Sequence, residues 1–259
     1  MLKVVTWNVN SITVRLERLL ALLNREKPDV VLLQELKSIE EKFPFEALKQ
    51  AGYEAIVLGQ KGYNGVAILS KKPLNNISKG MESFYQDPAA RVIKGQFGKI
   101  TFVCCYVPNG QEVGSEKFKY KLEWLKGFTQ FIKEELEKKS PLIIAGDFNI
   151  APEDRDVHDP ALWREKILCS NLERESFFGL LKLGLEDTFR LHFQEKGLFS
   201  WWDYRALGFQ KNQGLRIDFI IASKDLAKLC THAQIDRDER KGEKPSDHAP
   251  VIAEFNLPI

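Results

Sequence analysis

The sequence predicts one α/β domain in which two sheet-bearing halves pack face to face. Near the start of the chain, an amphipathic helix joins two short apolar runs, which is the pattern of a βαβ unit. A series of short strands between turn residues then occupies 53–106. Two segments, 4–8 and 143–149, echo each other because each is an apolar run that finishes in asparagine. A chain of 259 residues is long enough for one large domain of this class.

The first half of the chain alternates helices with strands before it becomes mostly β. The first helix is predicted from leucines spaced i, i+3, i+4 and i+7, beginning at Leu16, and it ends before Pro28. A second, shorter helix ends at Gly52, a residue type that readily takes the left-handed conformation of a C-cap. Strands are predicted at 2–7, 30–33, 53–58, 65–70, 91–97 and 99–106, and the second helix at 43–50.

The second half begins with a long helix at 115–139, whose apolar stripe runs from Phe118 to Leu136. This helix leads into the apolar run 142–145, which is typical of a strand buried on both faces. Residues 150–172 predict a long surface loop with a short helix, and loops of such length are often functional. The remaining predicted elements are a helix at 176–183, an aromatic segment at 199–204, a glycine-bounded loop at 208–214, a strand at 215–223, a short helix, a charged segment at 236–244 and a last strand at 250–255.

The composition excludes few classes of partner. The 38 basic and 36 acidic residues give a net charge of +2, so a nucleic-acid partner is neither demanded nor excluded. The four cysteines lack C-x-x-C spacing, and Cys104 and Cys105 lie in an apolar strand, which suits buried reduced thiols better than zinc ligands or disulfides. No signal peptide precedes the first strand, and no apolar run approaches the roughly 18 residues of a membrane span. We expect a monomeric cytoplasmic protein without a membrane partner.

Four carboxylates lie at or beside predicted strands: Glu35, Asp147, Asp218 and Asp247. Taken alone, Glu35 or Asp247 could simply be the polar end of a strand. Asp218 is different, because it stands inside an apolar strand, where an unpaired charge would be strongly unfavourable. Asp218 therefore needs a cationic partner, and His248 is the candidate.

Asp147 and Asn149 lie two residues apart where a strand ends, so their side chains can point to the same side. If the four carboxylates converge, their mutual repulsion requires a divalent cation. Carboxylate and amide oxygens suit Mg²⁺, with Mn²⁺ as a substitute, whereas the lack of cysteine and the few histidines disfavour zinc. Such a site fits hydrolysis of a phosphodiester, in which the cation neutralises the phosphate and a carboxylate or imidazole activates water.

The aromatic segment has a core interpretation and a binding interpretation. Phe199 and Trp202 are expected in the core. Alternation along a strand places Trp201 on the opposite face, where it could stack on a base or a sugar. Such a contact would lie beside two arginines, Arg205 and Arg216.

Two other groups of residues keep open interpretations. Three lysines early in the long helix form either a solvated face or a contact with a phosphate backbone: Lys117, Lys119 and Lys121. His192 and His232 are expected in surface or packing roles. His158 lies in the long loop after Asp147, and its role stays open.

Seven short motifs occur in the order in which they are found in exonuclease III: Trp7-Asn8-Val9-Asn10, Leu33-Gln34-Glu35, Gly62-Tyr63-Asn64-Gly65-Val66-Ala67, Tyr106-Val107-Pro108-Asn109-Gly110, Gly146-Asp147-Phe148-Asn149, Gly214-Leu215-Arg216-Ile217-Asp218 and Pro245-Ser246-Asp247-His248-Ala249-Pro250. The sequence therefore resembles the exonuclease III branch of the class II AP endonucleases. These enzymes belong to the endonuclease/exonuclease/phosphatase superfamily. The likeness runs from Leu2 to Phe255, and this combination of motifs in register is highly specific.

The resemblance implies a four-layer αββα sandwich of the deoxyribonuclease I type, with two packed mixed β-sheets flanked by helices and a site at one edge. It implies that Glu35 is the principal metal ligand. Asp147 and the Asp218–His248 pair would orient the phosphate and activate water, and which of them is the base stays open. Asp147 also belongs to the implied metal-binding set. The other metal-binding or phosphate-holding residues that the resemblance implies are Asn8, Asn10, Tyr106, Asn149 and Asp247.

The resemblance also implies residues that contact the substrate. Arg91 stands where the family has a DNA-contacting arginine. Trp201, Leu215 and Ile217 match a small apolar pocket that admits a base-free sugar, and an abasic residue is easily extruded because it has no base to unstack. The loop at 208–214 resembles one that is pressed into DNA at the lesion. The other candidates for substrate contact are Asn109, Phe209, Gln210, Lys211, Asn212 and Arg216.

The implied activity is that of a magnesium-dependent DNA repair nuclease on damaged duplex DNA. It would hydrolyse the phosphodiester 5′ to abasic sites and remove 3′ nucleotides or 3′ blocking groups. The alternative is a metal-dependent phosphodiesterase or phosphatase of the same superfamily that acts on RNA or small phosphoesters. A non-catalytic DNA-binding module is disfavoured because every expected catalytic residue is present. One departure is Leu36, where the family usually has threonine, and the lost hydroxyl could alter the support of Glu35.

Overall fold

The computed structural model describes residues 1–257. Within that range, strands and helices follow the predicted order, with three additional strands and one additional short helix, α6 (Thr188–His192). The strands are β1 Leu2–Asn8, β2 Val30–Gln34, β3 Glu54–Leu58, β4 Val66–Ser70, β5 Asn75–Lys79, β6 Val92–Phe97, β7 Ile100–Tyr106, β8 Leu142–Asp147, β9 Leu185–Asp187, β10 Trp201–Trp202, β11 Gly214–Leu215, β12 Asp218–Ser223, β13 Cys230–Ile235 and β14 Val251–Phe255. The α-helices are α1 Ile12–Glu26, α2 Phe45–Gln50, α3 Glu116–Glu137, α4 Pro160–Trp163, α5 Asn171–Leu181, α6 Thr188–His192 and α7 Lys224–Ala227.

The strands form two six-stranded sheets and one short ribbon. The first sheet has the order β13-β14-β1-β2-β4-β3, and the second has the order β5-β6-β7-β8-β12-β9. Each sheet contains one parallel pair, β1 with β2 and β7 with β8, and its other pairs are antiparallel. The ribbon pairs β10 with β11. The two sheets thus repeat one pattern, as the echo between 4–8 and 143–149 indicates.

Apolar residues on the facing sides of the two sheets form one core, and each outer side packs against helices. Val4 lies in the core between the sheets, whereas the next residue, Val5, packs on the other side with Leu19 of α1. In the second sheet, Ile144 packs on the outer side with Phe128 of α3. The result is the four-layer αββα sandwich that was predicted.

The polar ends of several strands meet at one edge of the sandwich. Parallel pairing places Asn8 beside Gln34 and Tyr106 beside Asp147. The antiparallel strand β12 begins at this same edge, because its first residue, Asp218, pairs with Asp147. Side chains that are far apart in sequence are therefore brought together by strand pairing.

Gly146 permits the close approach of β7 and β8 at this edge. A Cβ atom on Gly146 would lie 1.8 Å from the carbonyl oxygen of Cys105, a distance that no side chain tolerates. Glycine is therefore required directly before Asp147. The missing side chain lets Asp147 lie against Tyr106 with the regular spacing of a parallel pair.

The sequence predictions differ from the structure mainly at the sheet margins. The three additional strands, β5, β9 and β13, are all edge strands. β5 is largely exposed and β13 has a single buried residue, so their polar sequences lack the apolar pattern of a buried strand. The strand predicted at 215–223 is divided, because Leu215 pairs with Trp201 and only residues from Asp218 onward pair with β8. Helix α5 begins at Asn171 rather than at 176, since Ser170 and Glu173 form a capping box.

The cysteines are free thiols, as the sequence predicts, and Cys104, Cys105 and Cys169 are buried. Burial raises the pKa of the Cys104 thiol to about 12, so this thiol is neutral and packs as a small apolar side chain. Among residues 1–257, no helix is both long and apolar enough to cross a bilayer.

A buried ionic cluster ties the turn at 154–156 to the second sheet. The Arg216 guanidinium donates to Asp156 and to Asp187, each at 2.7 Å, and Arg190 also pairs with Asp156. Burial alone would raise the pKa of Asp156, but the charges of Arg216 and Arg190 outweigh it and hold the pKa below its usual value. Removing one member of this cluster would leave an uncompensated buried charge.

Asp156→Asn should therefore destabilise the protein. Breaking a buried pair of this kind costs about 3–5 kcal/mol in the free energy of unfolding at neutral pH. A depressed folded-state pKa contributes stability above the unfolded pKa of about 3.9, and that stability is lost as the pH falls through the folded pKa. The variant should consequently lose less stability than the wild type on acidification. Urea unfolding across a pH series measures both effects.

The control for this experiment is Asp225→Asn, which removes the carboxylate of an exposed pair with Lys228. This control should leave the free energy of unfolding nearly unchanged, because exposed ion pairs contribute little. An Asp156→Asn variant as stable as the control would contradict the structural importance of the buried cluster.

Candidate active site

Glu35, Asp147 and His248 converge at the polar edge of the sandwich. One side-chain oxygen or nitrogen of each lies within 4.8 Å of the other two. Asp147 ends β8, His248 precedes β14, and Glu35 directly follows β2. Glu35 has a φ of 52°, a left-handed conformation that is uncommon outside glycine, and backbone strain of this kind gathers at functional sites.

Asn8 connects the two carboxylates of this group. Its Nδ2 donates to Glu35 Oε1 and to Asp147 Oδ2, each at 2.9 Å, and its Oδ1 accepts the Asn10 backbone N–H at 3.0 Å. The other carboxylate oxygen of Glu35 lies 3.0 Å from Lys37 Nζ. Both carboxylates are therefore held by a donor from the end of β1, and Glu35 is also held by a lysine from the turn after β2.

The turn after β8 supplies further donors to Asp147. The Asn149 backbone N–H donates to Asp147 Oδ1 at 2.9 Å, and Asn149 Nδ2 donates to the Val107 carbonyl at 3.0 Å. Burial raises the pKa of Asp147 to about 7, against the opposing charge of His248 and with a contribution from the charge of Asp218. Asp147 can therefore accept a proton near neutral pH.

His248 is the partner that the buried Asp218 requires. Its Nδ1 lies 2.9 Å from Asp218 Oδ2, and its Nε2 faces Asp147 Oδ2 at 3.7 Å. Burial alone would lower the pKa of His248, but the charges of Asp218 and Asp147 outweigh it and raise the pKa to about 10. The imidazole is cationic at neutral pH and balances part of the negative charge around it.

Ser200, which the sequence analysis missed, completes this buried pair. Its hydroxyl donates to Asp218 Oδ2 at 2.6 Å and accepts the backbone N–H groups of Ile217 and Asp218. A small polar residue that interrupts an aromatic segment was the only sequence signal for it. Lys37 was missed in the same way, because nothing local marks it as the partner of Glu35.

Tyr106 and Arg91 border the carboxylate cluster. The Arg91 guanidinium lies 4.9 Å from the centre of the Tyr106 ring, and its Nη1 donates to the Tyr106 carbonyl at 3.3 Å. Burial, followed by the charges of Glu35 and Asp147, raises the pKa of Tyr106 well above its usual value. The phenol stays protonated and can donate a hydrogen bond to an oxyanion.

The donor set at this edge fits a hard divalent cation. Carboxylate oxygens are the protein ligands that Mg²⁺ and Mn²⁺ prefer, and Glu35 and Asp147 supply them at short separation. The Asn8 amide directs its NH₂ group rather than its oxygen to both carboxylates. Asn8 as a ligand would therefore have to turn its amide over, whereas Asn8 as a support for the two carboxylates keeps the observed orientation. The cluster could hold a metal ion in either case.

A profile of the endonuclease/exonuclease/phosphatase family matches residues 5–248. The chain belongs to that family. Exodeoxyribonuclease III of Haemophilus influenzae is 38% identical to it over 98% of this chain and 100% of that protein. The predicted likeness to exonuclease III is thereby confirmed.

Two solved structures of the family share the whole fold. The 3′ phosphatase NExo from Neisseria, solved with a product DNA hairpin, has a TM-score of 0.97 and 42% identity, over 99% of this chain and 100% of that chain. An AP endonuclease from Archaeoglobus fulgidus has a TM-score of 0.95 and 34% identity, with the same coverage of 99% and 100%. These structures confirm the predicted fold class.

Two of the predicted metal ligands, Asp247 and Asn10, form hydrogen bonds with other side chains of the site. Asp247 accepts hydrogen bonds from Asn10 Nδ2 at 2.9 Å and from Trp201 Nε1 at 3.0 Å. Among the described residues, Asp247 lies outside the group formed by Glu35, Asp147 and His248. The Asn10 amide oxygen accepts a hydrogen bond from Lys37. In this arrangement, Asp247 fixes the ring of Trp201.

The prediction that Arg216 contacts the substrate is wrong. Its side chain is 1% exposed and is engaged with Asp156 and Asp187 in the buried cluster. Lys121 is 0% exposed, so it lies on neither a solvated helix face nor a phosphate-binding surface, whereas the other two lysines of its run are exposed. Arg216 and Lys121 are both buried because they form ion pairs with carboxylates from distant segments of the chain. No local sequence pattern indicates such partners.

The residues of the predicted sugar pocket lie together beside the carboxylate cluster. Leu215 and Ile217 are buried and belong to one apolar cluster with Leu168, and the half-buried Trp201 packs against it. Lys211 is exposed on the adjoining loop. The residues predicted to form the sugar pocket therefore form an apolar cluster, with an exposed lysine on the neighbouring loop.

The remaining residues with open roles are also placed. Phe199 and Trp202 are buried, which confirms the core interpretation. His192 and His232 are exposed. The His158 ring lies 3.2 Å, at Nδ1, from the Gly214 carbonyl, so it contacts the ribbon that carries Leu215.

Ser200→Ala should reduce both the rate of hydrolysis and the stability of the protein, and the two effects can be measured separately. It removes a donor to Asp218 and leaves two buried N–H groups without an acceptor, which costs about 1–3 kcal/mol of stability. Without that support for Asp218, phosphoester hydrolysis should fall about 10- to 100-fold. Thermal unfolding and steady-state kinetics measure the two effects.

Thr188→Ala is the matched control for Ser200→Ala. Thr188 is buried and donates to the Ile220 carbonyl on the same strand, β12, at 2.7 Å. Thr188→Ala should reduce stability without reducing the rate. Equal rates in the two variants would show that Ser200 has no part in orienting Asp218 and His248.

Proposed function

We propose that this chain is a magnesium-dependent DNA repair nuclease of the exonuclease III type. It hydrolyses the phosphodiester 5′ to abasic sites in duplex DNA and removes 3′ nucleotides or 3′ blocking groups. The observation that carries this proposal is the convergence of Glu35, Asp147 and the Asp218–His248 pair at one edge of the sandwich, next to the apolar cluster that contains Ile217. The family relationship to an exodeoxyribonuclease III supports it.

Glu35 and Asp147 are the residues that would hold Mg²⁺, with Asn8 keeping the two carboxylates in register. A bound magnesium ion would neutralise phosphate charge and stabilise the leaving oxyanion. Its binding also relieves the repulsion between two carboxylates that the fold forces together. Mn²⁺ has the same preference for oxygen ligands and would substitute.

The charges at the site favour a division of roles between Asp147 and His248. His248 is cationic because its pKa is raised to about 10, so it donates from Nε2 to a phosphoryl oxygen rather than accepting a proton. With His248 cationic, the Asp147 carboxylate, whose Oδ2 lies 3.7 Å from His248 Nε2, is the better proton acceptor for the attacking water. Asp218 holds the imidazole in its orientation through Nδ1.

Neutral donors surround the place where the phosphate would lie. Tyr106 keeps its phenolic proton, and the Asn109 Nδ2 donates to the Asn149 Oδ1 at 3.3 Å. Arg91 adds a fixed positive charge next to Tyr106. Together these groups would bind the phosphoryl oxygens of the DNA backbone, and phosphate and sugar groups accept most protein–DNA hydrogen bonds.

The apolar pocket supplies selectivity for the sugar. Trp201, Leu215 and Ile217 would contact a flipped base-free deoxyribose, and a normal nucleotide would be excluded by its base. Trp201 is held in place by Asp247, which ties the pocket to the catalytic edge. The exposed Lys211 would meet the DNA backbone next to the lesion. The proposed partner is damaged duplex DNA, bound by a monomer of one domain in the cytoplasm.

Asp147→Asn tests the proposed site. The amide cannot accept the proton of water, so cleavage should fall about 10²- to 10⁴-fold while binding of duplex DNA persists. The substrates are matched duplexes that carry an abasic analogue, a 3′ phosphate or neither, each incubated with magnesium and with chelator. The wild type should cleave only with magnesium.

Two results would contradict the proposed function. Unchanged cleavage by Asp147→Asn would show that the site lies elsewhere. A wild type that hydrolyses RNA or small phosphoesters, and leaves both damaged duplexes intact, would favour the other branch of the superfamily. The control variant is Asp154→Asn, because Asp154 is exposed and pairs with Arg174 rather than with Glu35, Asp147 or His248.

A further inference from the structure

A buried ion pair lies beneath the site and is not part of the proposed chemistry. Lys121 of α3 and Glu173 of α5 are both 0% exposed, and they form a salt bridge. Removing two charges from water is costly, and a buried ion pair is often no more stable than apolar residues of the same size. The pair is therefore expected to do something that apolar residues could not.

Lys121 uses its ammonium group to hold two turns of the site. Besides the bond to Glu173, its Nζ donates to the Asn149 carbonyl at 2.6 Å and to the Asn109 carbonyl at 3.1 Å. Three ammonium hydrogens thus have three acceptors. Asn109 and Asn149 follow different strands, β7 and β8, so one side chain fixes their relative position.

The stem of Lys121 leaves these turns little freedom. A Cβ atom on Gly110 would lie 3.0 Å from Lys121 Cδ and 2.9 Å from Ile167 Cδ1. Gly110 also has a φ of 89°, in the left-handed region that favours glycine. The turn after Asn109 therefore rests directly on the lysine stem.

Glu173 extends the same contact to the wall of the apolar pocket. Its Oε1 accepts the Leu168 backbone N–H at 3.1 Å, and its Oε2 accepts the Ser170 N–H at 3.1 Å and the Ser170 hydroxyl at 2.6 Å. Leu168 belongs to the apolar cluster that contains Leu215 and Ile217. The carboxylate thus fixes the backbone of a residue in the apolar cluster that is proposed to line the sugar pocket.

We infer that Lys121 and Glu173 are positioning residues that set the phosphate-binding turn at Asn149 and the pocket wall at Leu168 relative to each other. This inference rests on the proposed function. The pair touches no reacting atom, and it acts through the backbone of residues that do. Its consequence is that the distance between the bound phosphate and the bound sugar is fixed by one buried contact, so the pair contributes to the choice among substrates.

The test is the double variant Lys121→Met/Glu173→Leu, which keeps the side-chain volume and removes both charges. It should fold with reduced stability, because apolar replacement of a whole buried pair is tolerated far better than loss of one partner, although backbone groups of Asn149 and Leu168 lose a hydrogen bond. Its kcat on an abasic duplex should fall about 100-fold, since small misplacements of a site have effects of this size. The KM for duplex DNA should change little, because the exposed DNA-facing side chains are untouched.

The rate of cleavage at abasic sites should fall more than the rate of 3′ phosphate removal, because removal of a 3′ phosphate does not require a sugar to enter the proposed pocket. The matched control is Lys94→Met, which breaks a bond of the same type between Lys94 and Glu135, at a part of α3 that does not contact the site. The control should lose stability and keep both rates. If the double variant has wild-type kcat on both substrates, the inference is overturned.

A second measurement keeps this result separate from the proposed function. The Asn149 backbone N–H donates to Asp147. The rate of hydrogen exchange at this N–H reports whether the turn after β8 keeps that hydrogen bond. Faster exchange of this amide in the double variant, and not in Lys94→Met, is expected even if the wild type cleaves neither damaged duplex. Unchanged exchange would overturn the positioning role whatever the substrate proves to be.

Discussion

The structure depends on how negative charge is balanced at the polar edge of the sandwich. Strand pairing places Asp147 directly beside Asp218, and Glu35 joins them from the other sheet. Unbalanced, these carboxylates would repel one another in a buried setting, where interactions between charges are strong. The cationic His248 and the Asn8 amide offset part of this repulsion. The remaining charge is what makes the edge suited to a divalent cation and then to a phosphate.

The two-sheet architecture explains why this charge can be held in place. Each sheet has one parallel pair whose carboxyl ends lie at the same edge, and the shared apolar core keeps the edges in register. The turns at this edge contain residues with positive φ, Asn10, Glu35 and Asn149, which cost conformational energy. Rigid strands on one side and buried polar contacts on the other stabilise those turns. The site is therefore precise because its residues come from strand ends rather than from long loops.

Much of the fold and part of the site could be predicted from the sequence. Asp218 indicated its own partner, because a carboxylate in an apolar strand has to be neutralised, and His248 is the partner found. Asp147 and Asn149 do lie together, but the contact is made by a left-handed turn after β8 rather than by strand alternation. The edge strands β5 and β13 could not be predicted, since a strand that buries at most one side chain carries no apolar pattern.

The errors have one physical origin. Arg216 and Lys121 have the local surroundings of exposed basic residues, and both are buried by acidic partners far away in the chain. Ser200 was missed for the related reason that its role depends on Asp218, which belongs to another strand. Partners that meet only after folding leave no periodic signal in sequence. Family motifs identify the residues that react, but they do not identify the residues that hold them.

The central claim is that Glu35 and Asp147 together bind one divalent cation. Calorimetric titration of Mn²⁺ into the wild type and into Glu35→Gln tests it most directly, because it needs no substrate. We expect one cation per wild-type chain and binding that is weakened at least about 10-fold in the variant, the scale of effect seen when support for a metal site is lost. Equal affinity in the two proteins would show that Glu35 is not a ligand of the cation.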